Sequence, residues 1–280
     1  MRDGKTQAET VYSSAYRQAP DKAGIPDSKI ADGVVLKDRK ILSLGSGDCA
    51  DIWYLAGENE IHAIDSSQSA IDVANSHRIK GRIHDLEQKL PFGDEMFDLV
   101  VCKDLMEHLV SPENLLKEIR RVIKPEGRLV ISIPNHFYLL FRLKILLGRN
   151  LIWKSIIHDH TKDFEEWNYM HLRFFTYGGL VKFLALGDFE VEKGFWDFGT
   201  LAHYSSPDLF HDHLVEKYRD RPLTTKAWVF FHIFHPAWRV FNMVFPRRLR
   251  SGIVGLAPGL LCAGFYLRCR IKQANQGLSK

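Results

Sequence analysis

Two glycines and one acidic residue form the most informative pattern in the chain. Gly45 and Gly47 follow the apolar run 40–44, and Asp65 closes a second apolar run twenty residues after Gly45. Glycines let backbone N–H groups approach a ligand closely, and an acid at the tip of the next strand can accept hydrogen bonds from both hydroxyls of a ribose. This spacing predicts a nucleoside-binding site.

Further residues extend this predicted site, and each has a structural alternative. Asp85 follows the third predicted strand, where a carboxylate can accept a hydrogen bond from an adenine amino group, and Leu86 can pack on the ring. Asp65 could instead cap the helix that follows it, although Ser66 and Ser67 could also fill that position. The glycine turn alone does not choose a cofactor, because it also satisfies a permissive dinucleotide fingerprint.

Strands and helices alternate from residue 40 onward. The pattern predicts strands at 40–44, 60–65, 82–84, 97–102, 128–133 and 188–196, and helices at about 48–57, 67–79, 112–124 and 177–186. The apolar run 260–271 is too short to cross a bilayer and predicts a closing strand. The chain is therefore expected to adopt an α/β fold, a doubly wound Rossmann-like sheet that is mostly parallel with an antiparallel last strand and helices on both faces.

The helix predicted at 112–124 has the clearest boundaries. Ser111 can cap it, Pro112 suits its first turn, and Pro125 and Gly127 are expected to end it. Its apolar residues fall at helical spacing, so they form one stripe that must pack on the sheet.

Two stretches interrupt the alternation and divide the chain. We expect an N-terminal arm at 1–35, one domain at 36–271 with insertions at about 135–172 and 197–258, and a tail at 272–280. Aromatic residues of the first insertion could line an acceptor pocket or cover core. The cluster His158, Asp159, His160 and Asp163 offers ligand types that metals accept, but a solvated loop is the expectation and no metal is assigned.

Composition and charge indicate an ordinary globular protein. The 280 residues are 45% apolar and 26% charged, with a formal charge of +4. No signal-peptide pattern opens the chain, which favours a cytoplasmic location. The four cysteines lack CxxC spacing, so reduced packing residues are expected rather than disulfides or a zinc site.

The basic residues cluster late in the sequence, and any anionic partner is expected to meet that part. The aromatic, Arg-flanked segment 226–250 could be a lid packed on the domain or a peripheral membrane-facing surface. Pro236 and Pro246 should divide it into short pieces, which favours the lid. Nucleic-acid binding has little support, because no recognisable module and no strongly basic domain is present.

Taken together, these motifs resemble those of class I S-adenosylmethionine-dependent methyltransferases over residues 40–196. The ordered set comprises the glycine turn, Asp65, residues 84–86, 90–92, 97–102, 106–109 and the stretch 124–127. A narrower resemblance, carried by 131–135, 147–149 and 171–176, is to methionine-biosynthesis (MetW-like) and related small-molecule or glycan methyltransferases. The resemblance implies S-adenosyl-L-methionine as cofactor.

The resemblance also implies a set of cofactor contacts. They are Ser43, Gly45, Ser46, Gly47, Asp65, Ser66, Asp85, Leu86, Cys102 and Lys103. Cys102 and Lys103 are expected to line the methyl-transfer pocket. Two positions depart from the family pattern, because Ser43 stands where an acid is usual and Cys49 where a third glycine is common. These departures are expected to weaken cofactor binding.

Methyl transfer is an in-line displacement, so alignment of the nucleophile and exclusion of water are the main requirements. A base helps if the acceptor is a hydroxyl. His108 and His136 lie just past the ends of the fourth and fifth predicted strands, where ligands of open α/β sheets bind, and are the candidate bases. Each could instead bond backbone near a helix start.

The predicted function is methylation, at oxygen, of a small-molecule, sugar or lipid-linked acceptor. One alternative is a cofactor-binding partner or scaffold that has lost catalysis, suggested by Ser43, Cys49 and the aromatic-basic segment. A nicotinamide-dependent oxidoreductase is disfavoured, because the chain has no Tyr-x-x-x-Lys pair to deliver a proton during hydride transfer.

Overall fold

The computed structural model describes residues 27, 29–47, 49–148, 171–196, 211, 214–216, 218–220 and 222–272. Most of the predicted N-terminal arm lies outside these residues. So do parts of both predicted insertions, including the cluster at 158–163, and nearly all of the tail.

Seven strands form one mostly parallel sheet. They are β1 (Lys40–Leu44), β2 (Glu60–Asp65), β3 (Lys80–Ile83), β4 (Phe97–Lys103), β5 (Ile123–Pro134), β6 (Phe189–Gly194) and β7 (Gly264–Ile271). Their order in the sheet is β3-β2-β1-β4-β5-β7-β6. The first five strands pair in parallel, and β6 pairs antiparallel with β7. The predicted fold class is confirmed, including the antiparallel last strand.

The apolar runs of the sequence form the buried centre of this sheet. Ile41, Leu42 and Leu44 of β1 are at most 1% exposed, as are Val100 and Val101 of β4. Central parallel strands are covered on both faces, so they need continuous rather than alternating apolar residues. Because β1 and β4 are neighbours while β2 and β5 lie outside them, the chain reverses its winding direction between β1 and β4. The crevice at the carboxyl ends of these strands is where such sheets bind ligands.

Eight α-helices lie within the described residues. They are α1 (Gln68–Ser76), α2 (Pro112–Val122), α3 (Leu139–Leu146), α4 (Tyr177–Leu186), α5 (Thr225–Val229), α6 (His235–Val244), α7 (Arg247–Leu256) and α8 (Pro258–Leu261). The predicted stripe on α2 is confirmed as core, since Leu115, Leu116, Ile119 and Val122 are at most 1% exposed.

Both ends of α2 differ from the prediction. The Ser111 side chain makes no capping hydrogen bond. The Glu87 carboxylate instead accepts from the backbone N–H groups of Val110 (2.6 Å) and Ser111 (3.2 Å). This places a negative charge at the positive end of the helix. The helix ends at Val122, before Pro125, because the next residue, Ile123, is already extended and begins β5.

The helix predicted at 48–57 is wrong. Gly45, Gly47 and Cys49 have positive φ angles of 60°, 51° and 57°. Left-handed backbone at alternate positions cannot enter a right-handed helix, so the turn extends to Cys49. Only a short 3₁₀ turn, Trp53–Leu55, follows before β2.

The chain forms two compact units. The first comprises Met1–Ile133, Gly178–Gly194 and Tyr266–Lys280, and the second comprises Pro134–Tyr177 and Phe195–Phe265. Nearly all of the sheet belongs to the first unit. The second unit contains α3 and the helices from α5 to α8.

Pro236 does not divide the second unit's helical segment, contrary to the prediction. α5, a π-helical turn at Phe230–Phe234 and α6 follow one another without a break. A proline ring clashes with the carbonyl four residues earlier in a regular helix, and the wider π turn just before Pro236 relieves that clash. Pro246 does end the run, and α7 begins after it. No helix within the described residues is both long and apolar enough to span a bilayer.

Candidate functional site

The glycine turn after β1 is closely packed. The backbone N–H of Gly45 donates to the carbonyl of Ile64 in β2 (2.9 Å). A Cβ atom at Gly45 would lie 2.9 Å from the Leu105 side chain, which follows β4. Two features therefore favour glycine at position 45: its left-handed backbone, and the Leu105 side chain, which would contact any Cβ atom there.

Asp65, at the end of β2, lies against this turn. One carboxylate oxygen accepts from the backbone N–H of Gly47 (2.9 Å) and the other from that of Ser67 (2.8 Å). The residue is 8% exposed. Burial raises the pKa of Asp65, and the backbone N–H donors oppose that rise. The acid and the bend are therefore adjacent, as the predicted nucleoside site requires.

The first turn of α1 has its own cap. The Ser67 hydroxyl accepts from the backbone N–H of Ala70 at 3.5 Å. Asp65 is therefore not needed as the capping side chain. Its neighbour Ser66 is exposed.

The remaining turn residues fit a bound ligand. The shielded Ser46 hydroxyl has no hydrogen-bond partner within the described residues. A buried polar atom without a partner is uncommon, and a cofactor lying in the turn could supply one. Ser43 is 4% exposed and pairs with Ala63 and Val101 in neighbouring strands. The turn thus places the unpartnered Ser46 hydroxyl next to Gly45, whose missing side chain leaves room for Leu105.

Asp85 and Leu86 follow β3 and differ in exposure. Asp85 is exposed, and its carboxylate accepts from the backbone N–H of Glu87 (2.9 Å). Leu86 is buried at 9% exposure. The backbone N–H of His84 donates to the carbonyl of Asp65 (3.2 Å), so this loop begins beside the predicted ribose-binding acid.

Cys102 is completely buried at the end of β4. Burial raises the pKa of its thiol, and the nearby acids Glu107 and Asp104 raise it further. The thiol is therefore neutral at physiological pH and unsuited to act as a nucleophile.

The ammonium group of Lys103 belongs to a cluster of charges. It lies 2.7 Å from an Asp27 oxygen and 2.8 Å from an Asp51 oxygen. The Tyr266 hydroxyl also donates to Asp27 (2.8 Å). Burial lowers the pKa of Lys103, but Asp51 and Asp27 outweigh it and the net shift is upward. Lys103 therefore stays charged and joins the segment before β1 to the carboxyl end of β4.

The two candidate bases lie in different units. In the first unit, His108 is in a short 3₁₀ turn, Met106–His108, and its Nε2 lies 3.8 Å from a Glu107 oxygen. In the second unit, His136 is 5% exposed, and its Nε2 lies 2.9 Å from Nδ1 of His171. The His136 and Phe174 rings are nearly perpendicular, with 4.8 Å between their centroids. His136 is thus enclosed by rings, whereas His108 neighbours a carboxyl group.

Sequence reasoning did not single out two acids after β4. Asp104 has a positive φ of 46° and accepts a hydrogen bond from the Ser132 hydroxyl (3.0 Å). Glu107 is fully buried, and neither of its side-chain oxygens has a hydrogen-bond partner within the described residues. The sequence signal was available, because Glu107 directly precedes His108 in the segment that follows the predicted strand 97–102.

The fold and this crevice define a class of protein: a doubly wound α/β domain with a glycine turn and a buried acid at the carboxyl ends of neighbouring strands. Residues 42–131 match a family model described as a methyltransferase domain. The match includes the glycine turn, Asp65 and the 104–108 loop. Residues 42–131 are therefore similar to class I S-adenosylmethionine-dependent methyltransferase domains, whose cofactor is S-adenosyl-L-methionine.

Curated relatives share only part of this chain. It is 28% identical over 153 residues to a ubiquinone biosynthesis O-methyltransferase of Coxiella burnetii, covering 49% of this chain and 64% of the relative. It is 29% identical over 133 residues to the mitochondrial ubiquinone biosynthesis O-methyltransferase of Schizosaccharomyces pombe, covering 44% and 48% respectively. The chain thus spans less than two thirds of the length of these relatives.

Solved structures support the fold over nearly the whole chain. The [4+2]-cyclase SpnF has a TM-score of 0.56 at 16% identity, over 96% of this chain and 97% of its own. A candidate sarcosine dimethylglycine methyltransferase from Galdieria sulphuraria has a TM-score of 0.53 at 16% identity, over 88% and 84%. At these identities the likeness concerns the fold alone.

Proposed function

We propose that this chain transfers the methyl group of S-adenosylmethionine to an oxygen of a small-molecule, sugar or lipid-linked acceptor. The observation that carries the proposal is the direct hydrogen bond between the Asp65 carboxylate and the backbone of Gly47 at the crevice. The names of the relatives, O-methyltransferases, support oxygen as the acceptor atom.

The roles of the site residues follow from their positions. Gly45, Ser46 and Gly47 would lie against the methionine part of the cofactor, and Asp65 with Ser66 would hold its ribose. Asp85 and Leu86 would bind the adenine. When bound, the cofactor supplies a methyl group that its sulfonium already activates. The chain has to align the acceptor and exclude water.

His108 is the proposed base for an acceptor hydroxyl. Its side chain is 16% exposed, so the ring is partly accessible, and it follows the carboxyl end of β4. His136 is the second candidate, and its enclosure by His171 and Phe174 also suits a packing role. A positioned base contributes about 10²-fold or more to rate where a proton must leave in the transition state.

The test is transfer of isotope-labelled methyl groups from S-adenosylmethionine to cell extract separated into aqueous and lipid phases. We expect base-stable label in one phase with the wild-type chain and about tenfold less with Asp65→Asn, which loses a charge-assisted hydrogen bond. Asp72→Asn, at an exposed position on α1, is the matched control. Label that never exceeds the Asp65→Asn background would contradict a catalytic function.

That negative result would favour the second candidate function, a cofactor-binding partner without catalysis. Two observations support this alternative: Ser43 and Cys49 replace an acid and a glycine, and the similarly folded SpnF is described as a cyclase. Cofactor binding without turnover is its signature.

We further propose peripheral contact with an anionic membrane through segment 226–250. The sequence contains no Asp or Glu from Arg221 to the last residue, while Lys226, Arg239 and Arg248 carry positive charge. Basic residues beside exposed apolar side chains suit an anionic lipid surface. Co-sedimentation with phosphatidylglycerol vesicles but not phosphatidylcholine vesicles is expected. Equal partitioning into both would contradict the electrostatic part of the proposal.

A further inference from the structure

The loop after β4 contains a carboxyl group whose burial is unfavourable. The Glu107 side chain is 1% exposed, and both of its oxygens lack hydrogen-bond partners within the described part of the chain. Buried polar groups are nearly always hydrogen-bonded, because an unmatched one forfeits its hydration. A group that lowers stability in this way has to be explained by something other than packing.

This loop also packs against the predicted cofactor turn. The side chain of Leu105 approaches Gly45, at 2.9 Å from where a Cβ atom would stand. The preceding residue, Asp104, has a φ of 46°, and its backbone N–H donates to the carbonyl of Ser132 in β5 (2.9 Å). Strained backbone of this kind persists where the surrounding structure holds it, often at functional sites. Glu107 is thus fixed in the loop that contacts the crevice turn.

The neighbour of Glu107 that reaches the surface is His108. Oε1 of Glu107 lies 3.8 Å from Nε2 of His108. The imidazole is partly exposed, whereas the carboxyl is not. Of the two side chains, only that of His108 is accessible from solvent.

We propose that Glu107 is a positioning residue that acts through His108, so that the two side chains form one proton-accepting pair for the hydroxyl of the methyl acceptor. The proposal rests on the proposed function. As the acceptor oxygen bonds to the methyl carbon and the carbon–sulfur bond breaks, the hydroxyl proton passes to the His108 ring. At a pH high enough for the buried Glu107 to be ionised, its carboxylate then compensates the charge of the imidazolium.

The electrostatics of the loop agree with this role. Burial raises the pKa of Glu107 well above its usual value, and the charge of Asp104 raises it further. Within the first unit, the titratable groups that bear on Glu107 are Asp104, Cys102 and His108. Cys102 stays neutral and adds no charge. Glu107 and His108 are close enough to interact, so their titrations are expected to be coupled. Where Glu107 is ionised, its buried carboxylate favours protonation of the neighbouring imidazole, so the pair accepts a proton more readily than imidazole alone.

The test is an NMR pH titration of the His108 ring in the full chain, without an acceptor. In Glu107→Gln we expect the His108 transition to move to lower pH by about one unit or more, because the carboxyl is no longer present. Glu107→Met should give the same shift, and it decides the question if the amide variant does not fold. Glu113→Gln, exposed on the first turn of α2, is the matched control and should titrate as the wild type. Identical His108 transitions in all four proteins would overturn the pairing.

Calorimetry separates this inference from the proposed function. S-adenosylmethionine should bind Glu107→Gln within about twofold of the wild-type affinity, since a positioning residue behind His108 makes no cofactor contact. A larger loss of affinity would assign Glu107 to the cofactor instead and overturn the proposal. If the wild-type chain itself fails to bind the cofactor, the proposed function fails, while the His108 titration still decides whether the pair exists.

Discussion

The glycine turn of the first unit is closely packed. The helical segment from Thr225 to Leu256 of the second unit instead exposes large apolar side chains. In the turn, a Cβ at Gly45 would already meet Leu105 at 2.9 Å. In the helical segment, Met243 is 79% exposed and Leu256 88%. The turn thus leaves no room for a side chain at Gly45, whereas the segment exposes large apolar side chains.

The difference indicates where shared and individual chemistry lie. The family model covers residues 42–131, which include the turn and exclude the segment. Functions on a common fold diverge in the sites added to it. We infer that the turn serves the cofactor, common to the superfamily, and that acceptor choice depends on residues outside the matched range. This contrast predicts that one methyl group in the turn costs more stability than a full charge on the segment.

The largest effect is expected for Gly45→Ala. The change forces a left-handed alanine, at about 1 kcal/mol, and displaces Leu105, at about 2 kcal/mol more. Gly33→Ala is the matched control, because Gly33 has a φ of 69° with nothing within 4 Å of the added atom. Urea unfolding should show a clearly larger loss for Gly45→Ala. Equal losses would mean that Leu105 yields freely and the turn is not closely packed.

The next effect concerns Glu107→Gln and depends on pH. Because burial raises the folded-state pKa of Glu107, the folded chain binds more protons than the unfolded chain above pH 4.5. The free energy of unfolding is therefore highest at low pH, where Glu107 is neutral, and it falls as pH rises toward the folded-state pKa of Glu107. Relative to wild type, the variant should gain about 1.4 kcal/mol for each unit by which that pKa is raised.

Unfolding measured at pH 4 and pH 8 tests this prediction, with Glu113→Gln as control. A constant difference between Glu107→Gln and wild type at both pH values would show that the carboxyl is not strained by burial. Of the glycine turn and the loop after β4, only the turn would then lose stability on substitution.

A smaller effect is expected at Cys49. This residue is fully buried with a φ of 57°. Cys49→Ala removes the sulfur but keeps the left-handed backbone strain. Cys49→Gly removes the sulfur and also relieves that strain, because glycine adopts positive φ readily. The glycine variant should therefore be more stable than the alanine variant by about 1 kcal/mol. Thermal unfolding compares them directly, and an alanine variant that is the more stable would show that this left-handed backbone carries no strain.

The smallest change in stability is expected for Met243→Glu on α6. An exposed position tolerates a charge within about 0.5 kcal/mol. Leu186→Glu, at a 73% exposed position on α4 of the first unit, should be equally neutral. Only Met243→Glu should reduce sedimentation with phosphatidylglycerol vesicles. If both variants sediment like wild type, the segment is not the membrane-facing surface.

Much of the sheet was predictable because its signals are local. β1, β2 and α4 begin and end at the predicted residues. The closing strand predicted at 260–271 is the antiparallel strand β7, but it begins only at Gly264, because Leu260 and Leu261 belong to α8. Asp65 lies beside the turn, as its spacing from Gly45 indicated. A buried parallel strand requires a continuous apolar run, and such a run is visible in sequence.

The failures arise where distant residues decide the local structure. The cap expected from the Ser111 side chain is absent, and the carboxylate of Glu87, from another loop, accepts hydrogen bonds from the backbone there instead. The helix expected at 48–57 gave way to left-handed backbone at Cys49, a conformation that cysteine rarely adopts. Helical continuity through Pro236 depends on a π turn that periodicity does not reveal. The role of Glu107 could not be predicted from the sequence, because its burial without hydrogen-bond partners is visible only in the folded chain.

Isothermal titration calorimetry with S-adenosylmethionine tests the central claim most directly, since it asks whether Asp65 and the glycine turn hold that nucleoside. S-adenosylmethionine and its demethylated product should bind the wild-type chain, NAD should not, and Asp65→Asn should weaken binding about tenfold or more. Binding of NAD alone, or S-adenosylmethionine affinity unchanged in Asp65→Asn, would contradict the account.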